Sequence, residues 1–226
     1  MFSKLMAVMV AALALAGCAT SPSGGKQGKW TTLFDGKGAP AFRGYNQTNF
    51  PSKAWIIEEG ALKTVPGAAI DLVTLEEYDD FELEFEWKVP PGGNSGVFYN
   101  ASETSGPIWY TGPEYQVLDD ARHPDGRNPL TSAGALYGLR VPEGKTLNPV
   151  GEYNTSRIVS KGAHVEHWLN GKKVVDYTWG SPEIAALIQK SKFKDLPGFM
   201  KKDSGLIGFQ HHGEIVWFRN IRIRRI

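Results

Sequence analysis
Residues 81–89, Phe-Glu-Leu-Glu-Phe-Glu-Trp-Lys-Val, alternate apolar and charged side chains without a break. That period of two predicts a strand with one face in a core and the other in water or a cleft. Pro90-Pro91-Gly92-Gly93 ends it, Asn94-Ser95-Gly96 reads as turn, and a short strand begins at Gly96-Val97-Phe98-Tyr99. Further strands are expected at 113–118, 135–140 and 155–159. Segments 164–169 and 173–177 flank Asn170-Gly171, a strong hairpin signal. Segments 206–211 and 215–223 are expected to pair as a second hairpin around His212-Gly213-Glu214. One helix is predicted, over about 181–192. Ser181 can cap it, Pro182 suits its first turn, and Ile184, Leu187 and Ile188 share a face. Strands that follow one another closely without intervening helices pair antiparallel. The pattern therefore predicts an all-β domain, a single β-sandwich of antiparallel sheets with one helical insertion.

The first residues break this pattern. Lys4 is followed by an apolar run, Leu5 to Leu15, and then Ala16-Gly17-Cys18. A basic start, a short apolar stretch and small residues read as a secretory signal, too short for a permanent membrane helix. Leu15-Ala16-Gly17-Cys18 resembles the bacterial lipobox, and Cys18 is the single cysteine of the chain. The expectation is a signal peptide at 1–17, lipidation at Cys18, a Ser/Gly/Lys-rich tether at 18–29 and one folded domain at 30–226. Ala19 after the cysteine resembles an outer-membrane sorting signal, which places the protein in the bacterial cell envelope.

Composition narrows the function classes. Of 226 residues, 41% are hydrophobic and 22% charged, which excludes a disordered chain. Lys and Arg total 25 and Asp and Glu 24, so the formal charge is +1, with no basic excess to point to a nucleic-acid partner. One cysteine excludes a disulfide scaffold. The five histidines show no metal-ligand spacing, so no structural zinc is expected, and no phosphate loop, dinucleotide fingerprint or nucleophile elbow is present.

Strand parity sorts the remaining candidates by face. In 113–119, Tyr115 and Val117 point one way and Glu114 and Gln116 the other. In 205–212, Ile207 and Phe209 share a face, while Gly208, Gln210 and His212 share the opposite one and His211 turns inward or to the rim. Glu114 and Gln116 fit a ligand-binding sheet face or a merely solvated one. His212 beside Gly213 fits a catalytic imidazole or a turn residue. Glu82, Glu84 and Glu86 alternate as an ordinary solvated face would. Trp168 fits a sugar-stacking platform or a packed side chain.

Taken together, these segments resemble the 3-keto-disaccharide hydrolases, a family of secreted bacterial proteins. The matching pieces, in order, are Trp30-Thr-Thr-Leu-Phe-Asp-Gly36, Phe81 to Lys88, Gly93 to Tyr99, Thr111 to Asp119, Ala133 to Tyr137, Val150 to Asn154, Val165 to Gly171, Gly205 to Gly213 and Phe218 to Ile221. They cover essentially all of residues 30–226. The last motif departs from the family's pattern at Leu206 and His211 and keeps Gln210 and His212. The resemblance implies a concanavalin A-like jelly roll. Glu114-Tyr-Gln-Val-Leu-Asp119 is similar to the Glu-x-Asp-x-x-Glu strand of retaining glucanases on that fold, with Gln116 and Asp119 replacing its second and third carboxylates.

A carbohydrate is the implied substrate. In a 3-keto-glycoside the ketone acidifies the hydrogen on C2, so a base can remove it. The C1 aglycone then leaves by β-elimination, and water adds to the enone. That sequence needs a base, a proton donor and enolate stabilisation. The residues matched are His212 as base or proton shuttle, Glu114 as partner acid or base, and Asp119 to orient a group or hold a cation. Gln116, Gln210, Asn94, Asn154 and Tyr137 would hydrogen-bond the sugar. A divalent cation would polarise the ketone, but no ligand set demands one. A non-catalytic carbohydrate-binding lipoprotein, a conventional glycoside hydrolase and a structural envelope domain are the competing expectations.

Overall fold
The computed structural model describes residues 28–226, so the signal, Cys18 and most of the tether lie outside the described residues. Gly28 already donates its N–H to Arg225 O at 2.9 Å. Among the described residues, thirteen strands form two sheets in which every pair is antiparallel. The larger runs β11 (Lys172–Thr178), β10 (His164–Leu169), β9 (Asn154–Lys161), β6 (Phe81–Lys88), β13 (Trp217–Arg225), β4 (Ala61–Thr64) and β3 (Trp55–Glu58). β1 (Thr31–Phe34) also pairs with β13 and makes it eight-stranded. The smaller runs β2 (Phe42–Gly44), β5 (Leu72–Tyr78), β12 (Gly205–Phe209), β7 (Asn94–Ala101) and β8 (Glu114–Leu118). This is the jelly-roll sandwich that the resemblance implies.

The alternation of β6 explains how the sheets meet. Phe81, Leu83, Phe85 and Trp87 are buried, while Glu84, Glu86 and Lys88 face outward. Phe85 packs edge-on against Tyr115 of β8 at 5.6 Å and Phe209 of β12 at 6.1 Å, both from the opposite sheet. Burying such a ring contributes about 1.5–3 kcal/mol. Polar groups in this core are paired. Tyr99 OH bonds His167 Nε2 and Tyr177 OH, and Ser156 Oγ links Tyr115 OH with Trp87 Nε1.

Four local expectations are refined or corrected. β7 begins at Asn94, because the turn is complete at Gly93, whose N–H bonds Pro90 O at 2.9 Å. Residues 135–140 are not a strand; they make isolated bridges, Leu136 to Tyr115 and Leu136 to Arg140. The predicted hairpin around residues 212–214 is instead a crossing from one sheet to the other. β12 and β13 face each other through Phe209 and Phe218, whose ring centres lie 5.0 Å apart across the core. Inward alternation on both strands is satisfied by facing as well as by pairing. The helix α1 (Pro182–Gln189) starts at Ser181, whose Oγ accepts from Ile184 N at 3.2 Å, and ends before residue 192. Asn170 and Gly171 both have positive φ, as a two-residue hairpin turn of that sequence demands.

Candidate active site
Because Val97, Tyr115, Val117 and Phe209 fill the core, their neighbours on β7, β8 and the end of β12 project from the outer face of the five-stranded sheet. Asn94, Gly96, Glu114, Gln116 and Gln210 stand on that face. Gly96 pairs with Gln116 on one side, and on the other its carbonyl accepts from Gln210 N at 2.9 Å. Glu114 lies over Gly96. A methyl group there would sit 2.1 Å from its Oε1, so only glycine leaves room for the carboxylate.

Glu114 is 8% exposed. Burial pushes its carboxyl up to about 8, the Lys192 ammonium opposes that, and the Asp71 and Asp125 carboxylates add to it. It therefore carries a proton at neutral pH. Asp71, which accepts from His211 N at 2.7 Å, is pushed up to about 6 by burial, against the His211 N–H and the charge of His212. Tyr137 hangs its backbone N–H on Glu114 O at 3.0 Å and points its hydroxyl at Asp125 Oδ2, 3.4 Å away. Burial, Asp125 and Glu114 push its phenol up to about 12.

Two imidazoles complete the rim. His212 Nδ1 is 2.8 Å from Glu214 Oε2. With the proton on Nδ1, that carboxylate orients the ring and leaves the Nε2 lone pair for a substrate. His123 lies 6.3 Å away ring to ring. Its Nδ1 accepts from Asp125 N at 3.1 Å, so the neutral ring carries its proton on Nε2, 3.4 Å from the Asn94 amide. Asn94 Oδ1 and Gln210 Oε1 are buried with no hydrogen-bond partner among the described residues. Two unsatisfied acceptors beside a protonated acid are matched by the hydroxyls of a sugar.

The residues expected from sequence divide into those this face gathers and those it does not. Glu114, Gln210, Asn94, Tyr137 and His212 belong to it. Gln116 is on the face, but its amide is consumed, donating to Thr131 O at 3.0 Å and accepting from Val117 N at 3.2 Å. Asp119 is tied to its own loops, with Oδ2 accepting from Gly92 N at 2.8 Å and Oδ1 from Ala121 N at 3.1 Å. Asn154 and Trp168 lie on the eight-stranded sheet. Asn154 Oδ1 accepts from Asn148 N and Asn170 Nδ2, and the Trp168 ring is covered by the Arg157 guanidinium at 4.0 Å. His211 turns inward, its Nε2 3.0 Å from Val65 O. Sequence reasoning missed His123, Asp125, Asp71, Glu214 and Lys192. They sit in loops or strand ends, where no periodicity assigns a face.

Metal-ligand atoms gather elsewhere. Among the described residues, His164, Glu166 and Asp176 bring such atoms within 4.8 Å of one another, on β10 and β11. Lys173 Nζ already bridges Glu166 at 3.1 Å and Asp176 at 2.5 Å, so this is a salt-bridge cluster.

A hollow of about 810 Å³ lies on the outer face of the eight-stranded sheet, lined by Glu84, Glu86, Arg157, Trp168, Asn220 and Arg222. Its glutamates are all paired with cations. Glu86 takes Arg219 and Asn220, Glu84 takes Arg222, and Glu82 beneath takes Arg157 and Arg224. Size favours this hollow, but the unpaired chemistry is on the other face.

Known proteins agree with this architecture. The family model of the 3-keto-alpha-glucoside-1,2-lyase-like domain matches residues 29–224. A 3-keto-disaccharide hydrolase of Bacteroides thetaiotaomicron is 35% identical over 226 residues, spanning 86% of this chain and 78% of the relative. A solved protein of Parabacteroides distasonis, assigned as a glycosyl hydrolase, superposes with a TM-score of 0.81 at 32% identity, over 87% of this chain and 94% of its own. An endo-β-1,3(4)-glucanase shares the fold alone, with a TM-score of 0.52 at 11% identity over 87% of this chain and 95% of its own. The chain thus belongs to the family of 3-keto-alpha-glucoside-1,2-lyase-like domains and is a hydrolase of the glycosidase type.

Proposed function
We propose that the protein cleaves the glycosidic bond of 3-keto-glycosides, 3-keto-disaccharides among them, by removing the C2 proton, eliminating the C1 aglycone and adding water to the enone. The observation that carries this reading is Glu114, a buried carboxylic acid that holds its proton near neutrality and faces the outer surface of the five-stranded sheet. It supplies the proton to the departing glycosidic oxygen. His212, oriented by Glu214, takes the proton from C2. Asn94 Oδ1 and Gln210 Oε1 accept from sugar hydroxyls. Elimination is favoured over a two-carboxylate displacement because Gln116 is an amide and Asp119 is occupied by two backbone N–H groups.

The direct test is incubation with a 3-keto-glucoside and with the matched unoxidised glucoside. Release of 3-ketoglucose from the oxidised sugar alone supports the reading. Cleavage of the unoxidised sugar, or binding of both without turnover, rejects it. Replacing His212 by Ala removes the base, and turnover is expected to fall about 10²–10⁴-fold.

The amino-terminal sequence supports a location as well. We infer a secreted lipoprotein anchored through Cys18 in the cell envelope, at the outer membrane. Changing Cys18 to Ala moves the protein from the membrane fraction to the soluble one if this is right, and leaves it in place if not.

A further inference from the structure
Lys192 follows α1 in Ser191-Lys192-Phe193. Phe193 is buried and stacks flat on Phe199, ring centres 4.0 Å apart, which fixes the backbone at this point. The Lys192 ammonium then lies 4.4 Å from the centre of the Tyr137 ring, 4.8 Å from Trp109 and 5.2 Å from Phe193. Ring faces attract a cation without occupying its N–H groups as an oxygen would. Among the described residues, no carboxylate or carbonyl oxygen pairs with this ammonium. Lys145, by contrast, is bound by Asp120, Ser132 and Ala133. Tyr137, whose ring carries this ammonium, donates its N–H to Glu114 O at 3.0 Å and points its hydroxyl at Asp125, which places Lys192 at the same site as the buried acid. An ammonium held by aromatic rings beside a protonated carboxyl is a donor with a vacant acceptor position.

We propose that Lys192 is a catalytic residue whose ammonium donates to the C3 oxygen of a bound 3-keto sugar and stabilises the enolate. This rests on the 3-keto-glycoside reading above. When the base takes the C2 proton, the C–H electron pair becomes a C2–C3 π bond and the carbonyl π pair moves to oxygen. That oxyanion develops against Lys192, which keeps its proton. The pair on oxygen then re-forms the carbonyl, the C2–C3 pair moves to C1–C2, and the C1–O bond breaks as its oxygen takes the Glu114 proton. Water then adds its oxygen to C1 and gives a proton to Glu114, while the base returns its proton to C2, so both groups are reset. The sum is 3-keto-glycoside plus water giving 3-keto sugar plus alcohol, with no oxidant or reductant.

Exchange of the C2 hydrogen of free 3-ketoglucose in D2O, followed by NMR, isolates enolisation from departure of the aglycone. Lys192→Met is expected to lose about 10²–10³-fold in this exchange and in kcat, with KM little changed. Lys192→Arg should retain part of the rate, and ethylammonium should restore part of the activity of Lys192→Ala. A Lys192→Met enzyme that exchanges at the wild-type rate overturns the assignment, with the substrate reading intact. Loss that neither Arg nor ethylammonium relieves also overturns it, because a structural role would behave that way. A wild-type protein inert toward every 3-keto sugar removes the substrate reading and this inference together.

Discussion
The two outer faces of the sandwich start from the same sequence device, polar residues at every second strand position, and end in opposite electrostatic states. On the eight-stranded sheet, Glu82, Glu84 and Glu86 meet Arg224, Arg222 and Arg219 across the β6–β13 ladder, and each carboxylate is neutralised. On the five-stranded sheet, Glu114 lies under loops that bring Asp125 and Asp71 toward it and offer one ammonium that does not bond it. One face spends its charges on itself. The other leaves an acid protonated and two amide oxygens unpaired. The difference teaches that a site is marked by polar groups the fold has declined to satisfy, more than by the volume of a hollow.

The sharpest way to break this comparison is Glu114→Gln. Turnover should fall about 10²–10⁴-fold, measured with a 3-keto-glucoside. Stability should move the other way, and in a defined pH window. The folded pKa of Glu114 is raised from 4.5 to about 8, so the folded protein holds a proton that the unfolded chain releases. The stability this contributes is fully present below pH 4.5 and is lost as pH rises through 8. Glu114→Gln removes that slope. Relative to wild type it should gain stability from pH 5 to pH 9, approaching a difference on the order of 5 kcal/mol in urea unfolding. Equal pH slopes in the two proteins would put Glu114 in an ordinary solvated state.

A smaller effect is expected from Gly96→Ala. The added methyl would meet Glu114 Oε1 at 2.1 Å and displace the carboxylate while leaving the strand ladder intact. Turnover should drop by about 10²-fold, the cost of a displacement on the order of 1 Å at the acid. Full activity would mean the acid does not need its place over Gly96. The smallest effect is expected on the opposite face. Glu84→Gln breaks one exposed ion pair with Arg222, so stability should change by less than about 1 kcal/mol. Turnover should stay at the wild-type level, and a large loss there would move the site to the other sheet.

How far the sequence foretold this contrast follows from its physics. β6 is legible because a half-buried strand must alternate; β8 is buried along its whole length, and there the alternation of polar and apolar residue types sets Glu114 opposite Tyr115. Asn170-Gly171 and Ser181 were legible because turn and cap chemistry is local. Parity names a face of a strand but not the sheet to which the strand belongs. Asn154, expected at the sugar from the resemblance, and Trp168, weighed as a sugar platform, stand on the other sheet from Glu114, and β12 and β13 face each other where parity fits pairing equally well. Whether a polar side chain is free or consumed is decided by loop atoms, as Thr131 O does for Gln116 and Gly92 N for Asp119. His123, Asp125 and Lys192 reach the site from segments with no period at all.

The protonation state of one carboxyl decides the account most directly. A carbon-13 NMR titration of the Glu114 side chain, assigned by comparison with Glu114→Gln, should give a midpoint near 8. A midpoint near the ordinary 4.5 would mean that this face, like its opposite, carries nothing but satisfied charge.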